Sequence, residues 1–229
     1  MTERRILYGR RQGRRLRAGQ KDRLDSGLAA YAMELPPPGE RVDPARWFGR
    51  GFADWWLEVG FGGGEHLAWQ ATHHPDVGIL GAEPFVNGVV SLLGHLGAGA
   101  MGNVRIHPDD ARDLIDALPD GVVGRAFVLF PDPWPKARHN KRRFVSTANL
   151  DRLARVMRDG AELRLATDDL DYLDWMLEHA TAHPDFRWLA RGPDDWRIRP
   201  ADWPPTRYEG KAIRAGRRGW YLRFARGPR

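Results

Sequence analysis

The residues best equipped for chemistry lie together between Phe130 and Arg143. A carboxylate, Asp132, and an indole, Trp134, alternate with Pro131, Pro133 and Pro135. Five cations follow within eight residues, Lys136, Arg138, Lys141, Arg142 and Arg143, with His139 among them. Prolines fix φ and remove backbone donors, so the acid and the ring stand on a stiff ledge. A carboxylate held in place can orient a polar ligand or stabilise positive charge as it develops. The neighbouring cations form a clamp for anions.

A second concentration of chemistry runs from Leu57 to Glu65, with Gly60, Gly62, Gly63 and Gly64 between Glu58 and Glu65. Glycines allow a tight turn and close backbone approach to a ligand. A dinucleotide fingerprint needs glycine at its sixth place. Here that place holds Glu65, an acid where a pyrophosphate would sit. Together with Glu58 it suits a cationic ligand such as S-adenosylmethionine, which carries a sulfonium, an ammonium and no phosphate. A tight strand–helix turn without a ligand would look similar. Glu83, 23 residues after Gly60, stands where Rossmann-like sites place a ribose-hydroxyl acceptor. Asp110 is a candidate for the adenine end.

The elements that must position these groups read as alternating strands and helices. Apolar runs at Trp55–Val59, Val77–Ala82, Val104–His107, Ala126–Phe130 and Glu162–Ala166 read as strands. Helices are expected at Glu65–Thr72, Val86–Leu96, Arg112–Leu118, Lys141–Met157 and Leu170–Ala180, and late strands at Phe186–Leu189 and Trp220–Phe224. Repeated βα units imply an α/β fold, a mostly parallel sheet with right-handed crossovers and helices on both faces. Glu58, Glu83, Asp110 and Asp132 then fall at the carboxyl ends of four successive strands, where open α/β sheets bind ligands. Four acids in register are hard to ascribe to surface solvation.

Residues 1–23 hold nine Arg or Lys against two acids, and three glycines there break any long helix. This predicts a flexible or surface-draped arm that binds phosphates through residues such as Arg10, Arg11 and Arg14. A short helix is expected at Leu28–Leu35, ended by Pro36-Pro37-Pro38. The expected organisation is a basic arm and linker over 1–50, then one domain over 51–229 with a basic end. Residues 207–229 carry eight Arg or Lys against Glu209 alone. The whole chain has 229 residues, 42% of them apolar, and a formal charge of +6, which suits a folded protein with a polyanionic partner. Absence of cysteine excludes disulfides and thiolate metal sites and fits a cytoplasmic protein. No apolar run approaches the ~20 residues of a membrane span.

These blocks, in order along nearly the whole chain, resemble the bacterial tRNA (guanine-N7-)-methyltransferases. Pro131–Lys136 with Arg138, His139, Lys141, Arg142 and Arg143 is similar to that family's central signature. Glu58–Gly64 resembles its cofactor loop, Thr206-Arg207-Tyr208-Glu209 its third block, and Gly9–Arg14 its arm. The resemblance implies a Rossmann-like class I methyltransferase fold with seven strands, the last antiparallel. It implies that Glu58, Gly60, Gly62, Glu83, Asp110 and Asp132 bind or border S-adenosylmethionine, and that Asp132 is catalytic. Lys136, Asp168, Thr206, Arg207, Tyr208 and Glu209 would bind the substrate nucleotide. The segment Arg138–Arg143 would contact RNA. The target would be a guanine of the tRNA variable loop (position 46 in tRNA numbering), without metal, membrane or an obligate protein partner. Ala137 and Gly210 depart from residues common in the family, and neither removes a proposed catalytic group.

Several residues have plainer readings. Asp168 or Asp169 is expected to cap the helix beginning at Leu170, leaving the other to face the site. Trp134 is equally a stacking surface or a packing residue. A non-catalytic RNA-binding protein on the same fold, or a methyltransferase for another RNA, is the alternative. A dehydrogenase is least compatible, because of Glu65.

Overall fold

The computed structural model describes residues 6–97 and 100–229; Arg4 and Arg5 of the basic arm lie outside the described residues. The chain forms two compact units, Met1–Pro119 and Asp120–Arg229.

The first unit begins with α1 (Ala18–Tyr31) and a short α2 (Ala45–Phe48). Three βα repeats follow: β1 (Asp54–Val59), α3 (Glu65–His73), β2 (Val77–Ala82), α4 (Val86–Leu96), β3 (Val104–His107) and α5 (Ala111–Ala117). The strands pair in parallel in the order β3-β2-β1. Every residue of β2 is buried, as befits a parallel strand covered on both faces. Val59 pairs with Ala82 and Ala82 with His107, so the three carboxyl ends leave the sheet together.

α1 corrects the expected helix at Leu28–Leu35: it starts at Ala18 and includes Gly19, while residues 6–17, with Gly9 and Gly13, are not helical. Gly27 is buried and lies against Leu93 of α4, where any Cβ would overlap the leucine side chain. It is a packing glycine, and the helix runs through it. Before α1, residues 6–17 drape over the start of α4. Val86 N–H donates to the Arg11 carbonyl (2.9 Å), Gly13 N–H to Asn87 Oδ1 (2.7 Å), and Asn87 Nδ2 to the Arg14 carbonyl (2.9 Å). Leu16 is buried beneath this strap.

The second unit contains β4 (Val123–Leu129), a 3-10 turn (Ala137–Arg142), α6 (Thr147–Val156), β5 (Met157–Thr167) and α7 (Leu170–Ala182). β6 (Phe186–Trp188), α8 (Asp194–Arg197), α9 (Arg207–Arg214) and β7 (Trp220–Arg226) complete it. Its strand order is β4-β5-β7-β6, with β4 and β5 parallel and β7 antiparallel to both of its neighbours. The seven strands are thus mostly parallel, with an antiparallel last strand. Leu129 pairs with Ala166, and Thr167 with Trp220, so the chain that enters β7 does so at the carboxyl ends of β4 and β5.

The expected helix over Lys141–Met157 is shorter. Val145 N–H donates to Tyr172 Oη (3.2 Å), and the Val145 carbonyl accepts from Trp175 Nε1 (2.6 Å). Those bonds to α7 hold Val145 outside the helix, and α6 starts at Thr147. α8 and α9 were not anticipated, although Thr206-x-x-Glu209 is a helix-start signal; Glu209 N–H donates to Thr206 Oγ1 (3.2 Å).

A buried ion network centres the second unit. Arg164 on β5 is 2% exposed and reaches Glu162 (3.1 Å) and Asp202 (2.7 Å), with its guanidinium over the Phe127 and Trp203 rings. Arg223 on β7 also pairs with Glu162. Burial alone would raise the Glu162 carboxyl, but Arg164 and Arg223 outweigh it and hold it below its ordinary value; Arg164 and Arg125 likewise outweigh burial at Asp202. Both carboxyls therefore add stability that is fully present above their unfolded values, 4.5 and 3.8, and lost as pH falls through the lowered folded ones. Denaturant unfolding of Glu162→Gln should accordingly show a weaker acid decline below about pH 4 than the wild type. Arg164→Leu should lose about 1–3 kcal/mol at neutral pH, because Glu162 and Asp202 each lose one cation while Arg223 and Arg125 remain beside them.

Candidate functional site

Each unit presents one set of candidate residues at the carboxyl ends of its strands. In the first, the turn from β1 to α3 is fastened at three points. Gly60 N–H donates to the Ala82 carbonyl (2.8 Å), Gly64 N–H to the Phe61 carbonyl (2.8 Å), and Gly62 N–H to Glu83 Oε2 (2.7 Å). The Phe85 N–H donates to the other Glu83 oxygen (2.9 Å). Glu83 thus shapes the loop as well as offering an acceptor. Gly88 of α4 packs under the loop, where a Cβ would overlap the Gly62 carbonyl. Gly60 has φ 69°, and a Cβ there would meet nothing within 4 Å, so its backbone faces open space a ligand can approach. Glu65 folds its carboxylate beneath Gly63, where a Cβ would come within 2.6 Å of an Oε atom. A pyrophosphate on this helix start would meet that charge. The donor set fits a cationic, hydroxyl-bearing ligand and opposes a dinucleotide.

Two of the predicted acids are engaged differently from the sequence expectation. Glu58 does not point an open carboxylate at the loop. It is 3% exposed and bonds His66 Nδ1 (2.7 Å), whose Nε2 meets Gln70 Nε2 (3.1 Å) one turn further along α3. Asp110 is the N-cap of α5, accepting from Arg112 N–H (2.9 Å), and its two oxygens receive the Arg112 guanidinium. Arg112 also reaches the Ile6 carbonyl (3.1 Å). Asp110 borders a cavity of about 560 Å³ whose wall includes Leu7, Arg11, Leu35, Pro37 and Asp113. The basic strap therefore closes one side of this acidic region. Arg11 is paired with Asp109 and correspondingly withdrawn from the free clamp predicted for it; the side chains of Arg10 and Arg14 face outward.

In the second unit the ledge leaves β4 through two left-handed residues, Phe130 (φ 51°) and Trp134 (φ 46°). Neither is glycine, each precedes a proline, and each such residue costs of order 1–3 kcal/mol. They bracket Pro131-Asp132-Pro133 and turn Asp132 outward, where it is exposed. Phe130 is anchored by its N–H on the Ala166 carbonyl (2.8 Å) and by its ring edge on Tyr221. Trp134 lies under Arg142, whose guanidinium carbon is 5.0 Å from the ring centroid, and edge-on to His139 at 6.0 Å. One face of the indole is therefore occupied by a cation, which favours an architectural part for it. Lys136, at the start of the 3-10 turn, and Arg138 and Lys141 on it are exposed. Desolvation and then Arg142, Arg138, Lys136 and Lys141 lower the His139 imidazole, so it is neutral at neutral pH.

Arg143 is the clearest correction. Expected in the RNA-contacting clamp, it is 2% exposed and faces inward. Glu209, expected to bind the substrate nucleotide, is also buried; it accepts from Tyr221 Oη and pairs with Arg199 Nε (3.1 Å). Burial first, then the Glu209 contact, raises the Tyr221 hydroxyl, keeping it the donor. The chain Phe130–Tyr221–Glu209 thereby ties the ledge to the start of α9. Tyr208 stays outside with Arg207 and Lys211 over its ring (5.9 and 5.3 Å). Asp169 caps α7 through Tyr172 N–H (2.9 Å), and Asp168 faces outward to pair with Arg217 (2.9 Å). His66, Arg112 and Arg217 escaped the sequence reading. Only the spacing of His66 and Gln70, one helical turn apart, was a visible signal.

Among the described residues there is no cluster of three or more potential ligands for a metal, and no helix long and apolar enough to cross a membrane.

Comparison with known proteins adds sequence and fold relationships. A family model described as "Putative methyltransferase" matches residues 53–222. The chain is 52% identical over 230 aligned residues to the tRNA (guanine-N(7)-)-methyltransferase of Rhodospirillum rubrum, covering 100% of this chain and 90% of that one. It is 51% identical to the protein so named from Paramagnetospirillum magneticum, over 93% and 89% of the two chains. Among solved structures, the 16S rRNA methyltransferase KamB superposes with a TM-score of 0.56 at 16% identity, over 85% of this chain and all of that one. An rRNA methylase of Streptococcus thermophilus gives 0.51 at 11% identity, over 89% and 93%. These two establish the class I methyltransferase fold.

Removing the imidazole from the Glu58–His66 pair strands a buried carboxylate. Denaturant melts of His66→Leu should show a loss of about 2–3 kcal/mol.

Proposed function

The chain belongs to the tRNA (guanine-N(7)-)-methyltransferase family, and on that premise we propose that it methylates N7 of the guanine in the tRNA variable loop (position 46 in tRNA numbering). The observation that carries the reading is that about half of its residues, over its full length, are shared with enzymes of that name. The acids and glycines of the first unit suit the methyl donor, S-adenosylmethionine, which supplies an electrophilic methyl on a sulfonium. Gly60 and Gly62 give it a close backbone, Glu83 accepts from ribose hydroxyls, and the Asp110 region borders the adenine. Glu58, held by His66, supplies the negative field that a cationic ligand needs.

Guanine N7 carries a lone pair and no proton, so this chain needs no general base. Positive charge appears on the guanine ring as the methyl arrives. Asp132, preset by the strained ledge, accepts from the base's N–H donors and stabilises that charge. N7 faces the deep groove of A-form RNA, which side chains do not read, so the guanine is taken unpaired or flipped. Lys136, Asp168 with Arg217, Thr206, Arg207 and Tyr208 hold the nucleotide and its neighbours. Arg10, Arg14, Arg138, Lys141 and Arg142 neutralise phosphates. The reaction takes place in the cytoplasm, where tRNA is processed.

Incubation of the purified chain with labelled S-adenosylmethionine and tRNA should place the label in 7-methylguanosine at the variable-loop guanine; label confined to another atom or nucleotide would sink the proposal. Asp132→Ala should lower kcat by roughly 10²–10³-fold, the scale for losing one preorganised electrostatic group, while the circular dichroism stays unchanged. Arg10→Glu with Arg14→Glu should weaken tRNA binding and make the plot of log affinity against log salt shallower by about 1–2 units, measured by filter binding.

A further inference from the structure

We propose that Arg143 is a positioning residue for methyl transfer, acting through the ledge rather than through RNA. The inference rests on the Asp132 reading. Arg143 is 2% exposed, so it cannot double as a phosphate contact without leaving its site. Its Nε donates to the Pro133 carbonyl (2.8 Å), the residue next to Asp132. Its terminal nitrogen pairs with Asp171 on α7. Its guanidinium carbon lies 4.9 Å from the Tyr172 ring centroid and 5.1 Å from that of Trp175. The same helix holds the neighbouring backbone through Tyr172 Oη and Trp175 Nε1 on Val145.

The ledge needs such a hold. Phe130 and Trp134 are left-handed non-glycine residues on either side of Asp132, and conformations of that kind persist only where surrounding groups over-determine them. Phe130 is fixed from the β5 and β7 side by Ala166 and Tyr221. Arg143 fixes the other side, at Pro133, and refers it to α7. The planar guanidinium suits this task because it can stack, pair with a carboxylate and donate to a carbonyl at fixed angles; an ammonium cannot do all three. The field of Asp132 also reaches Tyr172, adding to burial in raising that hydroxyl, so acid and brace share one neighbourhood.

The test compares Arg143→Lys, Arg143→Ala and Asp132→Ala in steady-state methylation of tRNA. Arg143→Lys keeps the charge and loses the fork. Its kcat should fall by about 10²-fold, the scale of a misplaced reacting group, with KM for tRNA and for S-adenosylmethionine essentially unchanged. Non-denaturing guanidinium should restore part of the rate in Arg143→Ala and none in Asp132→Ala. If the Arg143 variants do not fold, Asp171→Asn replaces them: Asp171 is a surface side chain, and its loss should lower kcat in the same pattern to a smaller degree. A raised KM for tRNA at unchanged kcat would make Arg143 an RNA contact and overturn the proposal. So would a wild-type rate in Arg143→Lys, or a loss of rate that follows melting temperature and resists guanidinium. Normal turnover in Asp132→Ala overturns the Asp132 assignment itself. An inactive Asp132→Ala beside an unaffected Arg143→Lys overturns the positioning role alone.

Discussion

Strand pairing in register decides which residues meet at one end of a sheet, and the chemistry of this chain depends on that constraint. In the first unit Val59, Ala82 and His107 stand side by side, so the glycine turn, Glu83 and Asp109–Asp110 emerge at one edge. In the second, Leu129 beside Ala166 and Thr167 beside Trp220 bring the ledge, Asp168 and the approach to β7 to one edge. None of these functional residues needs to be near another in sequence. A slip of one residue in any pair would exchange the two faces of a strand and displace the acid at its end, so the packing that fits each strand to its neighbours also fixes the positions of the acids.

The basic residues divide by what they neutralise. Arg143, Arg164 and Arg226 are buried and serve the fold: Arg226 pairs with Asp159 (3.2 Å) and donates to the Ala154 carbonyl (3.2 Å). Arg11 and Arg112 fasten the N-terminal strap over acids at the ends of β3 and α5. The outward cations include Lys136 just before the 3-10 turn, Arg138 and Lys141 on it, and Arg207 and Lys211 around Tyr208. A count of charges over a segment overstates the surface offered to a polyanion, because an internal arginine and an external one are identical in sequence.

That distinction also marks how far the sequence was legible. Strands were readable because burial on both faces demands unbroken apolar runs, and α4 because its apolar positions follow one helical face. The strand-end acids were readable for the same reason. Their partners were not: His66 for Glu58, Arg112 for Asp110 and Arg217 for Asp168 are set by tertiary approach or local rotamer. The run of α1 through Gly27 was not legible, because only the proximity of Leu93 gives that glycine a packing purpose. Val145 looked helical because its competing bonds come from α7, more than twenty residues later. The Thr206–Glu209 start of α9 was legible as a capping pair and was instead read as a binding block.

The placement of β7 has a consequence for synthesis of the protein. β7 lies between β5 and β6, yet it follows β6 in the chain. When Trp188 has been added, β6 has no partner and one edge of β5 stands open until Trp220 and its successors emerge. At roughly 5–20 residues per second that interval lasts about two to six seconds. Through it, the growing chain carries two unpaired edges that can template contacts with other chains. The charges of Glu162 and Arg164 on β5 and of Arg187 on β6 work against such pairing while the ribosome finishes the strand that will close the gap.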